Sequence, residues 1–174
     1  MIYRALVPSQ WIRKDPVEFE SLADTTKAIC EFYIRENGES GAEIRLTIHT
    51  FPILKEEERI PPQAQIARWK RQFEDLDVLS TQILPESHGG FSGLYFEGTG
   101  TLKNQPAKML GWSMQLAHLF TRELSLNEQP LDSYKRADYT IKATGPPDFI
   151  HQHRKAIRDF AGSFEFIDEL PSPL

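Results

Sequence analysis

Histidines are the residues of this 174-residue chain best suited to bind a metal ion or transfer a proton, and the chain has five. Only His151 and His153 lie close together in sequence. Side chains two positions apart on a helix point in different directions, and neither histidine has the i, i+4 partner of a helical zinc motif. We therefore interpret both as solvated residues near the start of a helix.

A small polar pocket is the candidate ligand site. His49 and His118 each fall within a strand pattern, and Glu97 lies in another strand-like segment. If these three side chains converge across a sheet, they form a pocket of the kind that binds a small ligand. The alternative is that each is an ordinary hydrogen-bonded or surface residue of its strand.

Serine, glycine and cysteine motifs give no catalytic or cofactor signature. Ser92 misses the Gly-x-Ser-x-Gly nucleophile elbow by one position. The glycines of 98–100 match neither a phosphate loop nor a dinucleotide fingerprint, and they are typical of a strand end or bulge. The single Cys30 lies in an apolar run and is expected to be a buried thiol. We therefore expect no catalytic residue, no metal and no cofactor, and a protein that is not an enzyme.

The charge distribution argues against nucleic acid as a partner. The chain has 20 basic and 25 acidic residues, for a net charge of −5. Its densest basic cluster, at 68–71, is followed by acidic residues at 74–77. A nucleic-acid-binding protein instead presents a basic stripe that releases counterions from phosphates.

Loop residues are the candidate contacts with a protein partner. An acidic run and the arginine after it lie in one predicted loop, and a tryptophan and a histidine lie in two others. The acidic run either contacts a basic partner or is ordinary solvated charge. The candidate contact residues are Trp11, Glu56, Glu57, Glu58, Arg59 and His88.

The spacing of apolar residues predicts the elements that position these side chains. Strand patterns occur at 2–7, 27–35, 43–51, 78–84, 91–101, 108–119 and 137–144. Turn residues separate 27–35 from 43–51, so these two strands should form a hairpin. Helical spacing predicts a helix from about Pro62 to Leu76 and a longer closing helix after Pro147.

The order of these elements predicts an α+β fold. Several antiparallel strands and two separated amphipathic helices favour an α/β/α sandwich with a largely antiparallel central sheet flanked by helices. Both faces of the strand around Trp112 are apolar, which indicates a central strand covered by a helix on each side. We predict one domain over residues 1–174, with a C-terminal tail at about 169–174.

Three strings of the sequence are similar to segments of a known family. Residues 65–73 resemble an Arg-Trp-x-x-Gln-Phe helix, 89–100 resemble a hairpin in the middle of a sheet, and 139–146 resemble a last strand that leads into the closing helix. The family is the PsbP-like family, whose fold is shared by an extrinsic subunit of photosystem II and a Ran-binding nuclear import factor. The resemblance implies this fold and an uncharacterised bacterial member. It implies no catalytic residue, because these motifs are structural.

The sequence favours a soluble protein without membrane insertion. No stretch reaches the roughly 18 consecutive apolar residues of a transmembrane helix. The N-terminus lacks the charged and apolar regions of a signal peptide. Unless a leader precedes the sequence, we expect a cytoplasmic location and no role in the thylakoid.

Together these observations favour a non-enzymatic protein-interaction or accessory module with an unknown protein partner. The alternative is a small-ligand-binding protein with a pocket between sheet and helix. An enzyme with an unfamiliar site is the third reading.

Overall fold

The computed structural model describes residues 3–14, 28–35, 41–53, 57, 59–117 and 137–166. Within these ranges the strands are β1 (Tyr3–Arg4), β2 (Ile12–Lys14), β3 (Cys30–Arg35), β4 (Glu43–Pro52), β5 (Asp75–Leu76), β6 (Gln82–His88), β7 (Phe91–Leu102), β8 (Gln105–Leu116), β9 (Ala137–Gly145) and β10 (Glu165–Phe166). The helices of the described part are α1 (Pro62–Lys70) and α2 (Pro147–Gly162). The predicted C-terminal tail, at about 169–174, lies outside the described residues.

An eight-stranded antiparallel sheet forms the centre of the described structure. Its strand order is β2-β3-β4-β9-β8-β7-β5, and β6 also pairs with β7. Because β8 pairs along the whole length of β7, both β5 and β6 lie on the other edge of that strand. A separate two-stranded sheet pairs β1 with β10. The predicted α+β class and the predicted hairpin of β3 and β4 are confirmed.

Two-residue turns join β7 to β6 and to β8. Gly89 and Gly90, with φ of 54° and 86°, connect β6 to β7, and Lys103 and Asn104, with φ of 49° and 62°, connect β7 to β8. Two consecutive residues with positive φ are typical of the type I′ turn, whose twist matches that of the strands. A side chain at Gly89 would also place its Cβ 2.4 Å from the Phe164 carbonyl oxygen.

Helix α2 covers one face of the sheet and closes the larger part of the core. Pro147 occupies the first turn, where a missing N–H costs nothing, and Asp148 adds a favourable negative charge there. The helix buries one stripe against the sheet, consisting of Phe149, Ile150, Ile157, Phe160 and Ala161. Each large apolar side chain in this stripe contributes roughly 1.5–3 kcal/mol by leaving water.

Helix α1 covers part of the opposite face, over β7 and β8. Trp69 is 2% exposed and packs with Ile66 and Phe96 in a second apolar cluster. A Cβ at Gly111 would lie 2.4 Å from the Trp69 ring, so only glycine lets the indole approach the sheet. Strand β8 therefore has a helix on each face, as predicted from the apolar residues around Trp112.

The structure corrects three predicted boundaries. Helix α1 ends at Lys70 rather than Leu76, because the chain turns and Leu76 pairs with Gly100 of β7. Residues 77–81 form a turn, so β6 covers 82–88 instead of 78–84. Residues 5–7 of the predicted first strand are not part of β1, which pairs Tyr3–Arg4 with β10.

Candidate functional site

Glu97 lies in a charged cluster between the sheet and α2. Its side chain is buried, accepts a 2.5 Å hydrogen bond from the Tyr95 hydroxyl and a 2.8 Å bond from Arg154, and lies 2.6 Å from Lys108 Nζ. Burial alone raises the pKa of Glu97, but the bonds from these three groups outweigh it and lower the pKa to about 2. The carboxylate is therefore ionised and fully engaged at neutral pH.

Arg158 extends this cluster to the edge of the sheet. Its guanidinium lies 4.4 Å from the centre of the Tyr95 ring and donates a 2.8 Å hydrogen bond to Glu86. Burial raises the pKa of Tyr95, and the hydrogen bond to Glu97 raises it further, so the phenol keeps its proton. The two arginines, one helical turn apart, join α2 to both β6 and β7.

The predicted pocket of His49, Glu97 and His118 does not form as expected. Glu97 pairs with Leu110 on the sheet face covered by α2. His49 pairs with Thr140. Because side chains alternate along each strand, both of these side chains lie on the opposite face of the sheet. His118 lies outside the described residues.

His49 instead shares its face with a second ion pair. Glu31, which is 4% exposed, accepts a 2.7 Å hydrogen bond from Arg45 and a 3.1 Å bond from the Tyr33 hydroxyl. Burial raises the pKa of Glu31, but the bonds from Arg45 and Tyr33 and the nearby charge of His49 lower it below its ordinary value. The buried Glu31 carboxylate is thus paired within the protein.

Trp11 is part of the core and not of the surface. Its side chain is 6% exposed, and its ring centre lies 5.9 Å from that of Phe32 and 5.2 Å from that of Phe160. The prediction that Trp11 contacts a partner is therefore wrong, because the ring is enclosed by β3 and α2. Packing of three aromatic rings is sufficient to account for its place in the loop before β2.

Arg59 also points inward. Its side chain is 8% exposed and forms a 2.7 Å ion pair with Asp138 and a 2.8 Å hydrogen bond to the Leu116 carbonyl. A guanidinium used in this way offers no surface to a partner, which corrects the prediction for this residue. Glu57 is exposed, whereas Glu56 and Glu58 lie outside the described residues.

His88 is half-buried at the end of β6. Its Nε2 lies 2.8 Å from the Tyr139 hydroxyl. Burial lowers the pKa of His88, with Glu86 acting in the opposite direction, and burial raises the pKa of Tyr139. His88 and Tyr139 therefore share a hydrogen bond, so the imidazole of His88 is used within the structure.

A shallow hollow of about 460 Å³ lies where α1 begins beside β7 and β8. Pro61, Pro62 and Gln63 form one wall, and Ser92 to Leu94 form another. Gln115 also lines the hollow, and its side chain donates a 3.1 Å hydrogen bond to the Ile60 carbonyl. The hollow lies between the start of α1 and the sheet, and polar and apolar side chains line it.

Four large apolar side chains are exposed along the outer edge of β7. We call them the edge patch: Val78 (74% exposed), Leu79 (98%), Ile83 (42%) and Leu84 (44%). The first two lie in the turn between β5 and β6, and the other two lie on β6 itself. Ile83 and Leu84 are consecutive on β6, so their side chains point to opposite faces of the sheet. Exposed large apolar side chains clustered at a sheet edge commonly mark a contact surface.

Asp77 holds the turn of the edge patch in place. Its carboxylate accepts hydrogen bonds from the backbone N–H groups of Leu79 and Ser80, at 3.0 and 3.4 Å, and the Thr81 hydroxyl donates to its carbonyl at 2.7 Å. The bond from Ser80 lowers the pKa of Asp77 most, followed by the bonds to the backbone. Sequence reasoning missed this turn by assigning 78–84 to a strand, although aspartate at the start of a turn was its signal.

Among the described residues no strand pairs with the outer edge of β6, and Pro85 interrupts that edge. The turn at Gly89 and Gly90 makes His88 and Phe91 a hydrogen-bonded pair, and such pairs alternate along the ladder. The backbone groups of Ile83, Pro85 and Ser87 therefore face outward, and proline has no N–H to offer there. An edge of this kind is poorly suited to the addition of another strand.

The described residues contain no group of three or more His, Cys, Asp or Glu side chains placed to hold a metal ion. In the same ranges, neither helix has the length and apolar character needed to cross a membrane.

No protein-family model and no curated protein matches the sequence. Solved structures that share its fold include two bacterial proteins. One is LpqN of Mycobacterium tuberculosis, involved in cell envelope biogenesis, with a TM-score of 0.53 and 10% identity over 95% of this chain and 83% of its own. The other is the solution structure of cyanobacterial PsbP (CyanoP) from Synechocystis sp. PCC 6803, with a TM-score of 0.51 and 12% identity over 94% of this chain and 86% of its own. The fold is therefore PsbP-like, as the three sequence strings predicted; such low identities establish the fold alone.

Proposed function

We propose that this protein is a non-enzymatic protein-interaction module that contacts its partner through the edge patch. The observation that carries the proposal is the exposure of Leu79 and Val78, at 98% and 74%, on a turn held by hydrogen bonds. An apolar side chain that stays in water gains little from folding. A partner that covers the patch would supply that burial, at about 25 cal/mol per Å² of apolar surface.

The ordered state of the patch favours specific contact. Binding costs conformational entropy when loops and side chains must be ordered at the interface. Asp77 already fixes the turn, and the pairing of β6 with β7 already fixes the strand. Because Pro85 interrupts the outer backbone edge, the contact would be made by side chains and not by an added strand.

The charged clusters support a non-enzymatic role. Glu97 is held ionised by its partners, with a pKa of about 2, so it is poorly suited to exchange protons near neutral pH. Glu31 and Arg59 are likewise engaged in ion pairs with Arg45 and Asp138. We infer that these charged groups stabilise the fold. The exposed apolar side chains of the edge patch are then the better candidates for a functional contact.

Affinity capture from a native lysate tests this proposal. The tagged protein would be compared with an edge variant, Leu79→Ser with Leu84→Ser, and with a matched control, Leu6→Ser with Val7→Ser, which changes exposed apolar residues elsewhere. We expect a partner that the wild type and the control retain and the edge variant loses. Binding of the purified partner, measured by calorimetry, should then weaken at least about tenfold in the edge variant. Equal retention by all three proteins, or an empty capture, would contradict the proposal.

The hollow beside α1 supports a second candidate function, the binding of a small ligand. Its volume of about 460 Å³ falls within the range of ligand pockets, and Gln63, Ser92 and Gln115 offer polar groups. Thermal denaturation with a panel of small metabolites tests this function, because a ligand that binds the folded state raises Tm. A ligand that stabilises the wild type but not Ser92→Leu would support it, and no shift across the panel would count against it.

The cytoplasmic location and the bacterial origin stay predictions. Cell fractionation followed by immunodetection of the native protein would test the location.

A further inference from the structure

Leu79 projects from the protein on a short, fixed turn. Its side chain is 98% exposed, more than that of any other large apolar residue of the described structure. The Asp77 carboxylate accepts the Leu79 N–H at 3.0 Å, and the Thr81 hydroxyl closes the turn from the other side at 2.7 Å. The leucine is therefore presented in a fixed position, so that burying it in a partner requires little further ordering of the backbone.

The charged residues within five positions of Leu79 in the sequence are all acidic. The stretch 74–81 contains Glu74, Asp75 and Asp77 and neither lysine nor arginine. Glu74 accepts a hydrogen bond from the Asn104 N–H at 3.0 Å, whereas Asp75 and Asp77 lie exposed on either side of the start of the turn. A partner surface that approaches the leucine must therefore meet negative charge, and a basic surface meets it favourably.

The acidic residues near Leu79 and the proline of β6 disfavour two kinds of partner, a second copy of this chain and an added strand. Two copies of this chain that met through their turns would bring like charges together, which opposes self-association at this site. Addition of a strand is disfavoured because Pro85 removes an outward N–H from β6. A different folded protein, with a cavity for one aliphatic side chain, avoids the repulsion between like charges and needs no added strand.

We propose that Leu79 inserts into an apolar pocket of a folded partner protein, and that lysine or arginine side chains line the rim of that pocket opposite Asp75 and Asp77. This inference rests on the proposed interaction function and specifies the chemistry of the partner.

Site-specific photocrosslinking in the full chain tests the proposal. A photoreactive benzoylphenylalanine would replace Leu79 in one protein and Leu6, which is 80% exposed on another surface, in a control. We expect position 79, and not position 6, to crosslink to partner residues that surround an apolar pocket bordered by lysine or arginine.

Calorimetry with the purified crosslinked partner gives the energetic test. Leu79→Ser should weaken binding at least about tenfold, Leu79→Ala should have an intermediate effect, and Leu6→Ser should change affinity by less than about twofold. Asp75→Asn should weaken binding at low salt and lose its effect near 1 M salt, where charges are screened beyond about 3 Å. Unchanged thermal unfolding of each variant would confirm that only the contact was altered.

Other outcomes would overturn the inference. Crosslinks from position 79 to a second copy of the chain, to lipid or to nucleic acid would exclude the proposed partner. Normal affinity of Leu79→Ser for a partner that the wild type binds would refute the role of the leucine while leaving the interaction function in place. Failure of the wild type to bind any protein would contradict both.

Discussion

Replacing Glu97 with glutamine removes the negative charge that Tyr95, Lys108 and Arg154 share, while keeping the size of the side chain. In the native protein these three groups lie within 3.0 Å of the carboxylate. The change leaves two cations without their partner beside α2, so we expect the free energy of unfolding to fall at neutral pH. Because the arginine and the lysine are partly exposed and can be hydrated, the expected loss is about 2 kcal/mol.

The pH dependence gives a sharper expectation. The pKa of Glu97 is about 2 in the folded protein, against an ordinary value of 4.5. A folded-state pKa that is lowered in this way contributes stability that is fully present above pH 4.5 and is lost as the pH falls towards 2. The full difference corresponds to about 3 kcal/mol. Since the Arg154 side chain is 37% exposed, solvent screening reduces the expected contribution to about 2 kcal/mol.

Urea denaturation at pH values of about 7, 4 and 2 measures this contribution. The wild type should lose about 2 kcal/mol more stability across this range than Glu97→Gln does. Glu57→Gln is the matched control, because Glu57 is exposed and its loss should leave the pH dependence of the wild type unchanged. If Glu97→Gln and the wild type lose stability in parallel as the pH falls, the reasoning about this cluster is refuted.

Two further predictions concern packing. Gly111→Ala should lower the free energy of unfolding by about 1–3 kcal/mol, because the new Cβ would lie 2.4 Å from the Trp69 ring. Gly162→Ala is its control, since outside the local helix backbone no atom lies within 4 Å of the added Cβ. This change should be neutral or slightly stabilising in urea denaturation. Equal effects of the two changes would contradict this explanation. Trp11→Ala should cost about 3–5 kcal/mol by leaving a cavity beside Phe160, and an unchanged Tm would argue against burial of the indole.

Local sequence patterns correctly predicted the strands and the helix whose bounds are set by their own apolar spacing. The strands at 30–35 and 43–52 follow the alternation of their apolar residues, and the turn between them made their pairing predictable. The closing helix follows its apolar stripe and the prolines at its start. The helical spacing of apolar residues predicted that α1 continues to Leu76. The helix ends earlier because Asp75–Leu76 pairs with β7.

The candidate site depended on contacts that connect distant parts of the chain. His49 and Glu97 lie on opposite faces of the sheet, and a shift of either strand by one residue would have reversed that result. Arg154 reaches Glu97 across 57 positions, and no local pattern marks such a pair.

The amino-acid sequence by itself determined the α+β class, the hairpin of β3 and β4 and the closing helix, because these follow from periodicity and turn chemistry within short segments. The PsbP-like fold was predicted separately, from the resemblance of three sequence strings to segments of that family. Only the tertiary structure decided that Trp11 and Arg59 are buried and that Leu79 is exposed. A side chain is buried when other parts of the protein pack against it. This packing depends on strand register and on contacts between segments far apart in the chain.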